Sequence, residues 1–276
     1  MQGVISIAQL TVLDLRRRRI VGAALAGGLT WLVVFAIAVR VIHPGMGRGP
    51  APLLETSLQK QLLMLAGLSA ANLLVMAVAI IVPLDCLSGE IASGVMQTVA
   101  SKPVSRCEIV LGKWLVFCAV LVAYVTMIVT GVALSMRLIA GFMQPNLGWA
   151  IGLMSLEACV LLCVVMAGGV RFSTVANGLV AFAFYAVAIV GGWIEQIGAL
   201  TGSPEAHYIG VVISLVSPAD ALWRRAEHLL EPPLLSQLHT VFSSASVPTA
   251  AMVWWAGGFA LAAMLSAMRG FERREL

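Results

Sequence analysis

Six long apolar stretches alternate with more polar segments along the chain. Each holds about 20 mostly apolar residues, the length that an α-helix needs to cross the hydrocarbon core of a bilayer. The pattern therefore predicts an all-α membrane protein with six transmembrane helices. The predicted spans are Ile20–Ile42, Leu62–Pro83, Trp114–Met136, Gly148–Val170, Thr174–Ile197 and Pro248–Met268. The shorter apolar run Tyr208–Val216 cannot span and predicts an interfacial or re-entrant helix.

Composition agrees with this pattern. Of the 276 residues, 60% are hydrophobic and only 11% are charged, and the mean hydropathy is +0.97. A soluble domain carries about 25% charged residues, so a soluble globular protein, a disordered chain and a self-contained soluble enzyme are excluded. Arg16–Arg19 resemble the start of a signal peptide, but the apolar run that follows is too long for one. We expect a retained first helix.

Lys and Arg are concentrated on one predicted side of the membrane. Eleven of the 17 basic residues lie in the segments 1–19, 84–113, 171–173 and 269–276. Because basic residues favour cytoplasmic loops, both termini are predicted to be cytoplasmic. Segment 198–247 is then external. The net charge of +4 is assigned to these loops and to membrane lipid, with no nucleic-acid partner. No polar block is large enough for a soluble domain, so 1–276 is predicted to be a single membrane domain.

Segment 84–113, between the second and third spans, carries a helical pattern. Ile91, Val95 and Val99 recur at every fourth residue and share one helical face. Pro103 ends this amphipathic helix, and a second helix is predicted from Ser105 into the third span. Two interpretations stay open. The segment is a surface connector, or it is the element through which a soluble motor moves the membrane domain.

The same segment resembles the signature of ABC-2 type transporter permeases. The resemblance is carried by the string GEIASGVMQTVASKPVSRCEIVLGKW, that is, by Glu90, Gly94, Pro103, Val104, Ser105, Arg106, Gly112 and Lys113. The nearest branch is the permeases of multi-copper enzyme maturation and gliding motility. The stretch 1–19, with its LDLRRRR motif, resembles the interfacial N-terminal helix of that family. The resemblance is architectural over the other spans and weak over 198–247.

The resemblance implies an ATP-driven transporter, an exporter, in the plasma membrane of a bacterium or archaeon. Two permease chains, identical or different, would pair, and two ATPase subunits holding ATP and Mg²⁺ would dock beneath. Segment 90–100 would be the coupling helix. The residues implied to couple to the ATPase are Glu90, Ile91, Gly94, Val95, Met96, Val99, Pro103 and Arg106. The resemblance also implies that Arg106 and Lys113 contact the ATPase or lipid phosphates.

The chain itself lacks a recognisable nucleotide site. No G-x-x-x-x-G-K-[ST] loop occurs in it, so ATP hydrolysis is expected in a partner subunit. We therefore expect no catalytic residue and no cofactor in this chain. A membrane-embedded enzyme would need a motif such as H-E-x-x-H, which is absent, whereas an assembly scaffold without transport is compatible with the sequence.

Glu157 is the one acidic residue placed well inside a predicted span. A charge at a helix centre costs about 2.5–3.5 kcal/mol on insertion scales, so this side chain is expected to face protein or water. It is either a residue of the substrate path, a proton relay or a dimer contact, or it is a neutral acid hydrogen-bonded to Ser155 or Asn72. The first interpretation leads to an alternative function, an ion-coupled secondary transporter that uses Glu157.

Two further groups of residues have an ordinary interpretation. Cys159 and Cys163 share a helical face and suit Cu(I), but sulfur side chains are common packing residues, and no metal site is expected.

The sequence of segment 217–233 predicts a helix that lies at the interface as a lid or a connector. Its Trp223, Arg224 and Arg225 are expected near lipid headgroups, with Asp220 and Arg224 forming a weak i,i+4 pair.

Overall fold

The structure is a computed structural model that describes residues 2–42, 52–89, 105–231 and 246–273. All regular secondary structure within these ranges is helical, as predicted. The helices are α1 (Gln2–Arg17), α2 (Arg19–Ile42), α3 (Pro52–Ile81), α4 (Arg106–Ala140), α5 (Leu147–Gly169), α6 (Thr174–Thr201), α7 (Pro204–Val216), α8 (Ala219–Leu230) and α9 (Ala250–Glu272).

Six of these helices, α2 to α6 and α9, are long and apolar enough to cross a bilayer. They coincide with the six predicted spans, and the chain is a multi-pass membrane protein. The largest differences are at the starts of α3 and α4, which begin earlier than the apolar runs do. A helix can continue into water beyond the membrane, so the apolar run alone underestimates its length.

The start of α4 is fixed by its first residues. The Ser105 hydroxyl accepts a hydrogen bond from the Glu108 amide at 3.3 Å, and the Glu108 carboxylate accepts one from the Ser105 amide at 3.2 Å. This reciprocal cap satisfies two backbone donors that a helix start leaves free. The helix predicted from Ser105 is thus confirmed, and it is continuous with the third span.

Helix α5 forms the centre of the bundle and packs against α3, α4, α6, α8 and α9. About two-thirds of its apolar window is buried, against 11% for α2 and 17% for α9. The outward faces of α2 and α9 carry exposed apolar side chains such as Leu29, Val33 and Trp254. In a membrane protein such faces contact lipid or another chain.

The loops gather at two ends of the bundle. One end, here the α1 end, brings together α1, the end of α3, the starts of α4 and α6, and the end of α9. The other end, here the α8 end, holds the start of α3, the end of α4, and helices α7 and α8. Both α1 and the end of α9 lie beside the start of α4, so the first described helix and the end of the last one are at the same end of the bundle. That this end is cytoplasmic stays a prediction.

Candidate functional site

Helices α7 and α8 form a bent pair at the α8 end. Their axes differ by 110° across the break at Ser217 and Pro218, an arrangement typical of a broken span or a re-entrant loop. Pro218 lacks a backbone donor, and the Ser217 hydroxyl donates to the Phe184 carbonyl of α6 at 3.0 Å. The break is therefore attached to the fifth span. The short helix predicted over Tyr208–Val216 corresponds to α7.

Helix α7 packs directly on the backbone of α6 through two glycines. A Cβ at Gly198 would lie 2.4 Å from the backbone nitrogen of His207, and one at Gly210 would lie 2.4 Å from the Cβ of Glu195. Both distances are shorter than any normal contact. Only glycine permits this approach, as at small-residue helix crossings in membranes generally. The approach brings side chains of α6, α7 and α8 together.

A buried ion cluster lies where these three helices meet. The Arg224 guanidinium donates to Glu195 Oε2 at 2.8 Å, to Asp220 Oδ2 at 3.0 Å and to Ser214 Oγ at 3.2 Å. The second oxygen of Glu195 accepts a hydrogen bond from the Ser246 hydroxyl at 2.6 Å. Arg224, Glu195 and Asp220 are 3%, 4% and 9% exposed. The ion cluster, made of these five residues, joins α6, α7, α8 and the segment before α9.

This cluster corrects two expectations. Arg224 does not point to lipid headgroups, and its pair with Asp220 is buried rather than a weak surface pair. Gly192 on α6 explains the burial, because a Cβ there would lie 1.9 Å from Asp220 Oδ2. The Asp220 carboxylate therefore occupies the space that a side chain at position 192 would fill. Arg225 donates to the Pro248 carbonyl, which also places its guanidinium against protein.

A cavity of about 530 Å³ opens between α3, α6 and α8 beside this cluster. Its wall is mostly apolar and aromatic, with a few polar side chains. The aromatic rings come from Tyr185, Trp193 and Trp223, and the polar groups include Asn72, Gln196, Asp220, Arg224 and Glu227. A concave apolar site with a few convergent polar groups is the usual form of a small-molecule site, for which 300–1,000 Å³ is a typical size.

Glu157 lies behind this cavity, on α5. Its side chain is fully buried, and Oε1 accepts a hydrogen bond from the Asn72 amide at 3.4 Å. Among the described residues, Glu157 Oε2 and Asn72 Oδ1 have no hydrogen-bond partner. Of the two partners considered from the sequence, Asn72 is confirmed, whereas the Ser155 hydroxyl makes no hydrogen bond within the described ranges.

A second, smaller cavity of about 210 Å³ also borders the ion cluster. Arg224 and Glu195 form part of its wall, together with His207. Arg224 lines both cavities, so the ion cluster borders each of them.

The α1 end brings together residues on both sides of segment 90–104. Lys113 is buried, and its ammonium group donates to the Cys86 carbonyl at 2.6 Å. Arg106 donates to the Phe271 and Glu272 carbonyls at the end of α9. Cations at helix C-termini are favoured because free carbonyls accumulate there. The expectation that Lys113 contacts an ATPase or lipid phosphates is therefore wrong, since its side chain is inside the protein.

Helix α1 is held against the start of α4 at Gly112. A Cβ at this glycine would lie 2.9 Å from the Ile7 side chain and from the Val4 carbonyl. Ile7, Thr11 and Leu15 are the buried residues of α1 and recur at every fourth position. The interfacial N-terminal helix predicted over 1–19 is thus a helix that packs along one face on the third span.

Most residues predicted to couple to an ATPase lie outside the described residues. These are Glu90, Ile91, Gly94, Val95, Met96, Val99 and Pro103. Arg106 is described, and its guanidinium is engaged with the end of α9 as given above. Its role in coupling stays a prediction.

Cys159 and Cys163 on α5 both contact side chains of α4. Cys163 accepts a hydrogen bond from the Trp114 indole at 3.2 Å, and the Cys118 and Cys159 sulfurs lie 3.4 Å apart. No group of three or more His, Cys, Asp or Glu in the described ranges has a geometry that could hold a metal ion.

Comparison of the chain with protein-family models and with curated proteins gave no significant match. The candidate site therefore rests on geometry alone.

Sequence reasoning missed Glu195, the residue that joins the ion cluster to the fifth span. The sequence does indicate that Glu195 is unusual, because its carboxyl lies inside an apolar stretch where an ionisable residue needs a partner. Its partner, Arg224, is 29 residues away on another helix, and no local spacing indicates that pairing.

Proposed function

We propose that this chain is the membrane-spanning subunit of an ATP-driven transporter of the ABC-2 type, working as an exporter with a separate ATPase. In this proposal the α1 end is cytoplasmic, and segment 90–104 contacts the ATPase. Two such chains, identical or different, form the membrane unit in the plasma membrane of a bacterium or archaeon.

The observation that carries the proposal is the junction at the α1 end. In the chain, segment 90–104 follows the turn that holds Cys86 and precedes Ser105. Lys113 joins that turn to α4, Gly112 admits α1 against α4, and Arg106 joins α4 to the end of α9. A displacement of the segment would therefore act on four elements together. A coupling segment requires connections of this kind.

The cavity at the α8 end supports the same proposal. It gives the chain a place for a small molecule at the opposite end of the bundle from the junction. Arg224 lines both this cavity and the smaller one. In this proposal, Arg224 is the barrier that moves when a ligand passes from one cavity to the other. A transporter requires a binding site and a barrier of this kind.

The experiment is co-purification from the native host. The chain is tagged at its C-terminus, extracted in mild detergent, and its partners are identified by mass spectrometry. We expect a stoichiometric P-loop ATPase that is lost in Val95→Asp. Gln97→Asp is the matched control, because it places the same charge on another face of the predicted helix and should keep the ATPase.

Two results would contradict the proposal in different ways. Retention of the ATPase in Val95→Asp would exclude the coupling role of that face. Absence of any ATPase under several mild conditions would exclude the ATP-driven transporter. The ion-coupled carrier would then be tested, with uncoupler-sensitive transport by this chain alone and its loss in Glu157→Gln as the expected results. The observation in its favour is the buried Glu157 carboxyl beside a residue of the cavity wall.

A further inference from the structure

The larger cavity carries an unbalanced set of charges. Asp220 and Glu227 both line it, and Glu195 lies behind the Arg224 side chain. Among the residues that the structure describes, Arg224 is the only basic residue in the wall of this cavity. Its Nε and Nη2 groups donate to two carboxylates, and its Nη1 group has no hydrogen-bond partner among the described residues. Within the ion cluster, two acids face one base, and Glu227 adds a third carboxyl. Burial raises the pKa of Asp220 to about 6 and the pKa of Glu227 to about 7. Above neutral pH both carboxyls are ionised, and the electrostatic field inside the cavity then favours a positive ligand.

A second observation points independently to a ligand. Asn72 is 3% exposed and lines the cavity, and its carbonyl oxygen Oδ1 has no hydrogen-bond partner among the described residues. Its amide group is directed to Glu157. A buried acceptor without a partner costs about 1–3 kcal/mol. Oδ1 is itself buried, so a ligand in the cavity that donates to it after a rotation of the Asn72 side chain would remove that cost.

The aromatic side chains of the wall add a preference of the same sign. Tyr185 and Trp223 are 8% exposed and lie inside the cavity, whereas Trp193 is 65% exposed at its edge. The face of an aromatic ring attracts cations, and indole does so most strongly. The same rings provide apolar surface for the body of the ligand.

We propose that this cavity binds an organic cation, a protonated amine or quaternary ammonium group on an apolar or aromatic body. The volume of about 530 Å³ suits a drug-sized molecule. The carboxyls of Asp220 and Glu227 attract the charge, Asn72 accepts a hydrogen bond from an amine, and the rings contact the body. The inference rests on the proposed transport function for its biological meaning, because the bound cation would be the transported substrate.

The test is a binding measurement on the purified full chain in detergent, without ATPase. Tritiated tetraphenylphosphonium is the probe, and binding to the immobilised protein is read by scintillation proximity. Unlabelled tetraphenylphosphonium competes by mass action, and triphenylphosphine oxide serves as a neutral competitor with a similar aromatic body. We expect saturable binding that the neutral molecule displaces at least tenfold less effectively.

Two variants locate the site. Glu227→Gln removes one charge with little change of shape and should weaken binding about tenfold, as should Trp193→Leu at the edge. Glu205→Gln, the same substitution at an exposed position on α7, is the control and should bind like the native chain. Each variant is checked for an unchanged gel-filtration profile.

Equal displacement by the neutral competitor, or native affinity in both cavity variants, would overturn the proposal. Absence of saturable tetraphenylphosphonium binding would overturn it too. These failures are distinguishable from failure of the transporter proposal, because the binding assay contains no ATPase. An ATPase that co-purifies with a chain that binds no cation would reject the ligand class alone.

Discussion

Replacement of Arg224 by Met tests whether the ion cluster holds α7 and α8 in place. Methionine keeps an unbranched apolar chain but removes the charge and all three hydrogen bonds to Glu195, Asp220 and Ser214. Two carboxyl groups that are 4% and 9% exposed then lose their cationic partner. We expect a large loss of stability, confined to the α8 end at first.

The magnitude follows from burial. Removing one partner of a buried, hydrogen-bonded ion pair costs about 3–5 kcal/mol, because the remaining charge is left without compensation. Summing the individual hydrogen bonds gives a similar free energy, since the two that Arg224 donates to carboxylates contribute about 1.5–3 kcal/mol each. For a chain of this size, each kcal/mol lowers the unfolding midpoint by about 2–4 °C. The expected decrease in Tm is therefore roughly 6–20 °C.

The assay is thermal unfolding of the purified protein in detergent, followed by intrinsic tryptophan fluorescence. Arg225→Met is the matched control, because Arg225 is the neighbouring residue and donates to a backbone carbonyl rather than to a carboxylate. It should lower Tm by only a few degrees. The double variant Glu195→Gln with Arg224→Met should recover part of the loss, since one of the two buried charges is then removed.

Two outcomes would refute the reasoning. Arg224→Met could melt within 2 °C of the native protein, which would mean that the cluster contributes little to stability. Alternatively, Arg225→Met could destabilise the protein as much as Arg224→Met does, which would mean that the effect is lost packing and not the buried charges.

Two further predictions concern the helices around the cluster. Gly210→Ala should destabilise the protein by about 1–3 kcal/mol, because the added Cβ would overlap Glu195. Gly152→Ala is the control: a Cβ there has no neighbour within 4 Å, so this variant should be neutral or stabilising. The Tm of each variant measures the effect. Glu157→Gln should leave Tm nearly unchanged, because the amide oxygen can still accept from Asn72; a decrease of more than about 4 °C would show that the carboxyl itself is required.

The spans could be predicted from the sequence because a single property decides them. About 20 apolar residues in succession have one stable arrangement in a bilayer, and this holds whatever the neighbouring helices are. The cap at Ser105 was also predictable, since its partner Glu108 is three residues away. Features such as a span or a helix cap depend only on residues that are close together in the sequence.

The ion cluster shows what such patterns leave out. Asp220 and Arg224 are four residues apart, and their pairing was predicted, but as a weak pair at the surface. Its burial depends on Gly192 and on Glu195, which lie on a different helix. Nothing in the local spacing indicates which helices meet. The pairing of Asn72 with Glu157 was foreseen as one of two alternatives, because few polar residues inside the spans were available to an intramembrane acid.

The bend between α7 and α8 has a consequence for how the chain enters the membrane. Helix α7 has 13 residues and α8 has 12, so each is roughly 20 Å long or less and neither can cross the hydrocarbon layer of about 30 Å. Asp220, Arg224 and Glu227 would also oppose insertion of α8 into lipid without partners. Neither helix is a signal that the insertion machinery would retain by itself.

The bent pair must therefore assemble on spans that are already in place. Helix α6 precedes it in the chain and provides Glu195 and Gly198, the groups that accept the Arg224 side chain and the α7 backbone. Helix α9 follows, and its Trp255 indole donates to the Leu215 carbonyl of α7. We expect this end of the protein to assemble in a fixed order, in which the pair packs on the fifth span and the last span then packs against the pair.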